Sequence, residues 1–264
     1  MNLTIKQSTQ LLQKDIVDLL FGNILALRIY PFENESNCRK WQESLKLKGN
    51  LSRYSNALDV PVNRIGMTLF ETENKPEKIT QYLEKGEHTQ ANIRKIFGEI
   101  NPLDQIIDKL TVCWQYDCEI QKISKRAMNP GIIRSFEASL KGGLPPHVDS
   151  LLKDLPDSKE FSAMQCQLAA NLYFDVSDKG GELELWNYAP NPSELEALFT
   201  GNYDFIDKAK IPVLSQKLKP KEGELILFRS NCVHSVTSSE GGTRSAASCF
   251  IGFYDEKSPL TIWA

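Results

Sequence analysis

Residues 223–254 read GELILFRSNCVHSVTSSEGGTRSAASCFIGFY, and the fold turns on how this stretch pairs. The apolar run ELILF has strand character, and a polar loop carries the chain from it to His234. SSEGG supplies a turn, and RSAASCFIGFY opens a second β-rich run. With the turn centred on Ser239, antiparallel pairing predicts His234 opposite Arg244 on one hairpin face. A bulge in that turn would shift the register.

Working upstream, more short and often β-rich segments appear: GIIRSFEASL (131–140), CQLAANLYFDV (166–176), ELELWNY (182–188) and IPVLSQKLKP (211–220). Gly, Pro, Asp and Lys punctuate them, and Gly180-Gly181 is expected in a tight hairpin. Many short strands at this spacing predict a sandwich or jelly roll. In APNPSELEALFTGNYDF (189–205), Asn191 is placed to cap a helix whose first residue is Pro192. That helix belongs to an insertion of about residues 189–210, lying over one end of the barrel or forming a plain surface excursion.

The first half is mainly helical. TQLLQKDIVDLLF (9–21) puts Leu11, Leu12, Ile16, Leu19 and Leu20 at helical spacing. ILALRIYPF (24–32) reads as a strand, and the polar ENESN leads into a helix over CRKWQESLKL (38–47). RIGMTLFE (64–71) reads as another strand. Residues 76–116 predict two or three helices punctuated by Gly86, Gly98 and Pro102, with Pro76 in a first turn.

Composition excludes several function classes. A formal charge of −3, with both signs interspersed and no basic stripe, argues against nucleic acid or anionic membrane as partners. The longest apolar runs are strand-length, too short to span a bilayer. The first fifteen residues lack the basic-then-apolar plan of a signal peptide, so a cytoplasmic protein is expected. The six cysteines are scattered without a CxxC pair and read as reduced thiols.

The chain has only three histidines, and one of them sits two residues before a carboxylate, in GGLPPHVDSLL (142–152). On an extended chain His147 and Asp149 face the same way and could bind one metal ion from one side. Adding His234 makes two imidazoles and one carboxylate with coordination positions left open. That set suits non-haem Fe(II), and zinc with a bound water accepts it too, which keeps a zinc hydrolase in view. Arg244 favours the iron reading, because a guanidinium can grip the distal carboxylate of a dicarboxylic keto acid. The third histidine, His88, lies in a charged helical segment and reads as a solvated side chain.

Taken in order, HVD, NLYFD, GGELELW, KPKEGELILF, VHSV and GGTRSAAS resemble the iron- and 2-oxoglutarate-dependent dioxygenase superfamily over about residues 131–254. More loosely, the helical first half and GGELELWNYAPNP resemble the stand-alone aliphatic halogenases and hydroxylases of specialised metabolism, those acting on hapalindole-type alkaloids in particular. The resemblance implies an α+β fold: a double-stranded β-helix (jelly roll) core over 131–254, with helices mainly from the support region 1–130 around it, in a single domain of 1–264. It implies His147, Asp149 and His234 as Fe(II) ligands and catalytic residues. Arg244 then binds the distal carboxylate of 2-oxoglutarate, whose other end chelates the iron, and dioxygen takes the remaining position. Asn171 and Tyr173, on one strand face, are further cosubstrate candidates. Ser248 shares the face of Arg244, while Ser245 points away.

Halogenases of this kind carry Gly or Ala where this chain has Asp149, and chloride fills the gap. The departure implies hydroxylation, with desaturation and cyclisation by the same chemistry left open. Arg134, Phe136 and Trp186 are the substrate-pocket candidates, although filling the core is the commoner fate of a strand tryptophan such as Trp186. The expected partner is a small molecule, such as an amino acid, an amino-acid derivative or a specialised metabolite, bound by a monomer or homodimer. A non-catalytic jelly-roll binding module is the remaining alternative.

Overall fold

Strict two-residue alternation along two long strands divides the inside of the barrel from its helical coat. The computed structural model describes residues 3–47, 51–53, 62–136, 143–200 and 203–264. The second half forms eight jelly-roll strands. They are β1 (Ile132–Phe136), β2 (Leu144–His147), β3 (Cys166–Asp175), β4 (Leu183–Leu185), β5 (Gln216–Leu218), β6 (Glu224–Arg229), β7 (His234–Val236) and β8 (Arg244–Phe253). In the major sheet the jelly-roll strands run β6-β3-β8-β1, extended by the first-half strands Ala26–Ile29 beside β6 and Val62–Ile65 beside β1; the minor sheet runs β5-β4-β7-β2, and every neighbouring jelly-roll pair is antiparallel. This is a double-stranded β-helix on an α+β chain. The expected strand over 131–140 is present as β1, and its last four residues lie outside the described ones.

On β3, Leu168, Ala170, Leu172 and Phe174 face outward, as do Ala247, Cys249 and Ile251 on β8. Four helices meet these strands: α1 (Gln13–Leu20), α2 (Glu35–Leu47), α3 (Pro76–Phe97) and α4 (Pro102–Cys113). Ile16, Leu19, Trp41, Leu45, Leu103, Ile106 and Leu110 pack on that outer face in one cluster. The intervening strand residues, Ala169, Tyr173, Ile226, Phe228 and Ala246, face inward against Leu183, Leu185 and Leu218 of the minor sheet. Period-two alternation thus sends one half of each strand to the helices and the other to the barrel interior.

The helix ends follow from their sequences. Asn101 accepts from the amides of Leu103 and Asp104 and Pro102 opens α4; Asn191 forms a capping box with Glu194 ahead of Pro192–Leu198. Gly86 does not interrupt α3. A Cβ there would lie 3.0 Å from the backbone nitrogen of Asn129, so the glycine lets two backbones approach closely. The expected strand at 64–71 ends earlier, because the chain turns at Gly66 (φ +95°) and continues into a short 3-10 turn at Leu69–Thr72.

Two expected hairpins are corrected. β7 and β8 belong to different sheets: His234 pairs with His147 and Leu185, whereas Arg244 pairs with Phe136. The 237–243 connection crosses from one sheet to the other, and its Ser239–Glu240 pairs with Lys179–Gly180 in the β3–β4 crossover. Gly180-Gly181 therefore turns a sheet-to-sheet corner rather than closing a hairpin. Both glycines have positive φ, and a Cβ on Gly180 would lie 1.8 Å from the carbonyl oxygen of Ser238. Lys219 Nζ donates to the carbonyls of Ser177 (2.6 Å) and Gly180 (2.5 Å), tying the corner down. Gly180→Ala is expected to cost about 1–3 kcal/mol, read as a lower Tm in thermal unfolding; an unchanged Tm would show that the corner relaxes freely.

Candidate metal centre in the barrel

The two sheets enclose a cavity lined by, among others, Arg134, His147, Asp149, Asn171, His234 and Arg244. The minor sheet carries the histidines. His147 ends β2 and His234 opens β7, and direct antiparallel pairing brings their ring centroids to 4.2 Å. Asp149 follows His147 on extended chain beyond the strand end. Its carboxylate lies 3.3 Å from His234 Nε2 and 3.9 Å from His147 Nε2. The three ligand atoms all lie within 4.8 Å of one another, close enough to hold one metal ion.

The hydrogen bonds behind these side chains fix which atoms converge. His147 Nδ1 donates to the carbonyl of Pro145 (2.8 Å), and His234 Nδ1 donates to the carbonyl of Cys232 (2.9 Å). Each Nδ1 then carries the proton of the neutral ring, and each Nε2 presents a lone pair to Asp149. Burial, reinforced by His234 beside it, pushes the His147 pKa down to about 4, so this ring is neutral near pH 7. Burial alone would raise the pKa of Asp149; a proton on His234 Nε2, the charge of either imidazole when protonated and Arg134 outweigh it, so the carboxyl is ionised when a proton or a cation stands between it and the rings. Two lone pairs and a carboxylate facing one point repel one another unless a cation lies between them. The donor set therefore fits a divalent metal.

Asp149 is positioned by its backbone. Its amide donates to Ser230 (2.9 Å), and its carbonyl accepts from Ser230 Oγ (3.1 Å) and Gln167 Nε2 (3.3 Å). Neither Ser230 nor Gln167 stands out in the sequence, since each acts through one local contact. Phe228 was equally unmarked; its ring packs 4.9 Å from His234, and only its spacing from inward-facing Ile226 signals its place.

The major sheet supplies the opposite wall. Arg244 is buried, and its guanidinium lies between the rings of Tyr173 (4.9 Å) and Phe136 (5.0 Å). Its Nη2 donates to the Tyr173 hydroxyl at 3.2 Å, and its Nε has no hydrogen-bond partner among the described residues. Burial lowers its pKa, the Tyr173 hydroxyl works against this, and nearby Arg134 adds to it. A guanidinium buried between two rings with an unused N–H is built to receive an anion. Asn171 accepts from Ser248 Oγ (2.7 Å), as their direct pairing allows, which leaves its amide N–H groups for the cavity. Ser245 points away and meets Ser135 Oγ at 3.0 Å.

Of the substrate candidates, Arg134 and Phe136 line the cavity, with Phe136 engaged under Arg244. Trp186 does not line it. It is buried in a separate cluster with Val148, Leu195, Leu198, Ile206 and Val233, and its Nε1 donates to Pro212 (3.0 Å). The reason is position: Trp186 lies just past the end of β4, where the chain leaves the barrel for the insertion. Val148 and Val233 adjoin His147, Asp149 and His234, so this cluster grips both segments that present them. Trp186→Ala is expected to cost about 3–5 kcal/mol and to weaken metal binding with it, checked by thermal unfolding and metal titration. His88 is exposed on α3 and all six cysteines are free thiols.

The comparisons with known proteins agree with this geometry. Residues 135–252 match the model of the 2OG-Fe(II) oxygenase superfamily, a span that holds every cavity residue just described except Arg134. This is a 2OG-Fe(II) oxygenase core. Residues 135–252 are accordingly the core of a 2-oxoglutarate-dependent non-haem iron dioxygenase, with Fe(II) and 2-oxoglutarate as cofactors. The oxygenase is similar in fold to an N-substituted L-amino acid dioxygenase from Burkholderia ambifaria AMMD, with 15% identity and a TM-score of 0.65, covering 95% of this chain and 91% of that one. The same enzyme in complex with alpha-KG matches at 16% identity and TM-score 0.65, covering 95% and 90%. No curated protein matches the sequence. Among the described residues no helix is long and apolar enough to cross a membrane.

Proposed function

We propose that the oxygenase hydroxylates an unactivated C–H bond of a small molecule, with release of succinate and carbon dioxide. The observation that carries this reading is the convergence of His147, Asp149 and His234 opposite a buried arginine that has no carboxylate partner among the described residues. When bound, Fe(II) with 2-oxoglutarate and dioxygen supplies the oxidising chemistry.

The chain's own residues do the rest. His147 and His234 offer Nε2 lone pairs whose direction is set by Pro145 and Cys232. Asp149 contributes one negative charge and would take a coordination position that chloride would need, which favours hydroxylation over halogenation. Arg244, oriented by Tyr173, receives the distal carboxylate of 2-oxoglutarate. Asn171 offers amide N–H donors on the same wall. The apolar inner residues Leu183, Phe228 and Ala246 keep bulk water from the centre. Helices α1, α2 and α4 back the major sheet, so we regard residues 1–130 as support for the core rather than a separate module.

Anaerobic addition of Fe(II) and 2-oxoglutarate is expected to give a visible charge-transfer band, lost in Asp149→Ala. No band in the wild type, or the same behaviour in both proteins, would overturn the assignment. Tight zinc, with activity indifferent to oxygen and 2-oxoglutarate, would return the hydrolase reading.

A further inference from the structure

Asp149 stands where the minor sheet has run out. β2 ends at His147, and Asp149 and Ser150 belong to no strand before the helical turn Leu151–Asp154 begins. A side chain takes the place of a neighbouring strand. Gln167, the second residue of β3, faces inward with Ala169 and is 5% exposed. Its Nε2 donates to the carbonyl of Asp149 (3.3 Å), and its Oε1 accepts from the amide of Leu151 (2.8 Å). One planar amide therefore meets the backbone on both sides of Ser150, as the peptide of an adjacent strand would.

The main chain of Gln167 belongs to the same unit. Its carbonyl accepts from the amide of Ser230 (3.0 Å), and the carbonyl of Ser230 accepts from the amide of Asp149 (2.9 Å). Leu151, the other residue held by the Gln167 side chain, is buried in one cluster with Met67, Leu69 and Trp263. The turn after Asp149 is thus tied to β3 on one side and to first-half packing on the other.

The metal centre needs such a hold. Two imidazole lone pairs and a carboxylate directed at one point repel one another before a cation arrives, and the Asp149 side chain is 31% exposed, so water offers it another direction. Ligand groups have to be kept within about 0.5 Å and 10–20° of the productive geometry. From this geometry we infer that Gln167 is a positioning residue of the metal centre: by clamping the Asp149 carbonyl and the Leu151 amide together it sets the direction of the Asp149 carboxylate, and with it the affinity for the metal. The inference rests on the proposed role of Asp149 as a metal ligand. Gln167 acts through Asp149, so the Arg244 end of the cavity should not feel its loss.

The test titrates Ni(II), which imidazole ligands bind well, into the metal-free protein and reads the Kd. Gln167→Met keeps the length of the side chain but neither hydrogen bond, and should raise the Kd about 10–100-fold. Gln167→Asn keeps the amide but is one methylene too short to span both groups, and should raise it about fivefold or more, the scale of one lost hydrogen bond. At saturating Fe(II), both variants should need the wild-type 2-oxoglutarate concentration for the charge-transfer band. In an Asp149→Ala background, Gln167→Met should change the remaining Ni(II) affinity by less than about twofold, because the carboxylate it positions is gone. Circular dichroism and the metal-free Tm show which variants are folded; if Gln167→Met is not, Gln167→Asn carries the test. A folded variant with a lower metal-free Tm and the wild-type Ni(II) Kd would make Gln167 a purely structural residue and overturn the inference. A full effect of Gln167→Met in the Asp149→Ala background, or a raised 2-oxoglutarate requirement, would overturn it too. If Asp149→Ala alone binds Ni(II) as the wild type does, the reading of Asp149 as a ligand falls instead.

Discussion

Asp149→Ala is expected to lower iron-dependent succinate formation by more than about 10²-fold, beyond the 10–100-fold typical when a residue merely supports a ligand is lost. The substitution removes the one anion of the three converging groups and leaves two neutral imidazoles to hold a divalent ion. The backbone should stay in place, because the contacts of residue 149 to Ser230 and Gln167 run through its amide and carbonyl. Metal-linked stability separates ligand loss from misfolding. A ligand at one hundred times its Kd stabilises a protein by about 2.7 kcal/mol. Wild-type Tm should therefore rise when Fe(II) or Mn(II) is added anaerobically, and the Tm of Asp149→Ala should not. Equal Tm rises in both proteins would remove Asp149 from the metal site.

Local features of the sequence predicted local features of the molecule well. The alternation in CQLAANLYFD and RSAASCFIGF is the alternation seen in β3 and β8, because one side of each strand meets helices and the other the cavity. Asn101-Pro102 and Asn191-Pro192 open helices, since caps act within three residues. The spacing of His147 and Asp149 needed only an extended chain. Strand partners are set at long range and were misread where only short range was used. A turn at Ser239 is compatible with a hairpin and equally with a crossover, and the choice lies with Lys179–Gly180, some sixty residues away. Of the two places open to Trp186, cavity wall or core, the sequence could not choose, since nothing in ELELWNY marks where β4 ends and the insertion begins; the side chain fills a core cluster. Arg244 still reaches the centre that contains His234, but from across the barrel rather than across a hairpin.

That arrangement makes the second large effect specific. Arg244→Ala should raise the 2-oxoglutarate concentration needed for the charge-transfer band by about 30-fold or more, and leave Fe(II) binding nearly unchanged. Truncating one partner of a buried, hydrogen-bonded charge pair costs about 2–5 kcal/mol, and each 1.4 kcal/mol is tenfold in affinity. Iron binding is spared because Arg244 sits on the major sheet, while the metal-facing groups come from the minor sheet and the chain that follows β2. Arg244→Lys should rescue only in part: an ammonium keeps the charge but loses the planar fork stacked between Phe136 and Tyr173. Tyr173→Phe should cost less, about tenfold at most, since it removes one hydrogen bond to Arg244 and leaves the ring in place. The order Ala, Lys, Phe in falling severity is what an anchor held by a stacked and bonded guanidinium requires. An Arg244→Ala protein with wild-type 2-oxoglutarate affinity would move the anchor to Arg134.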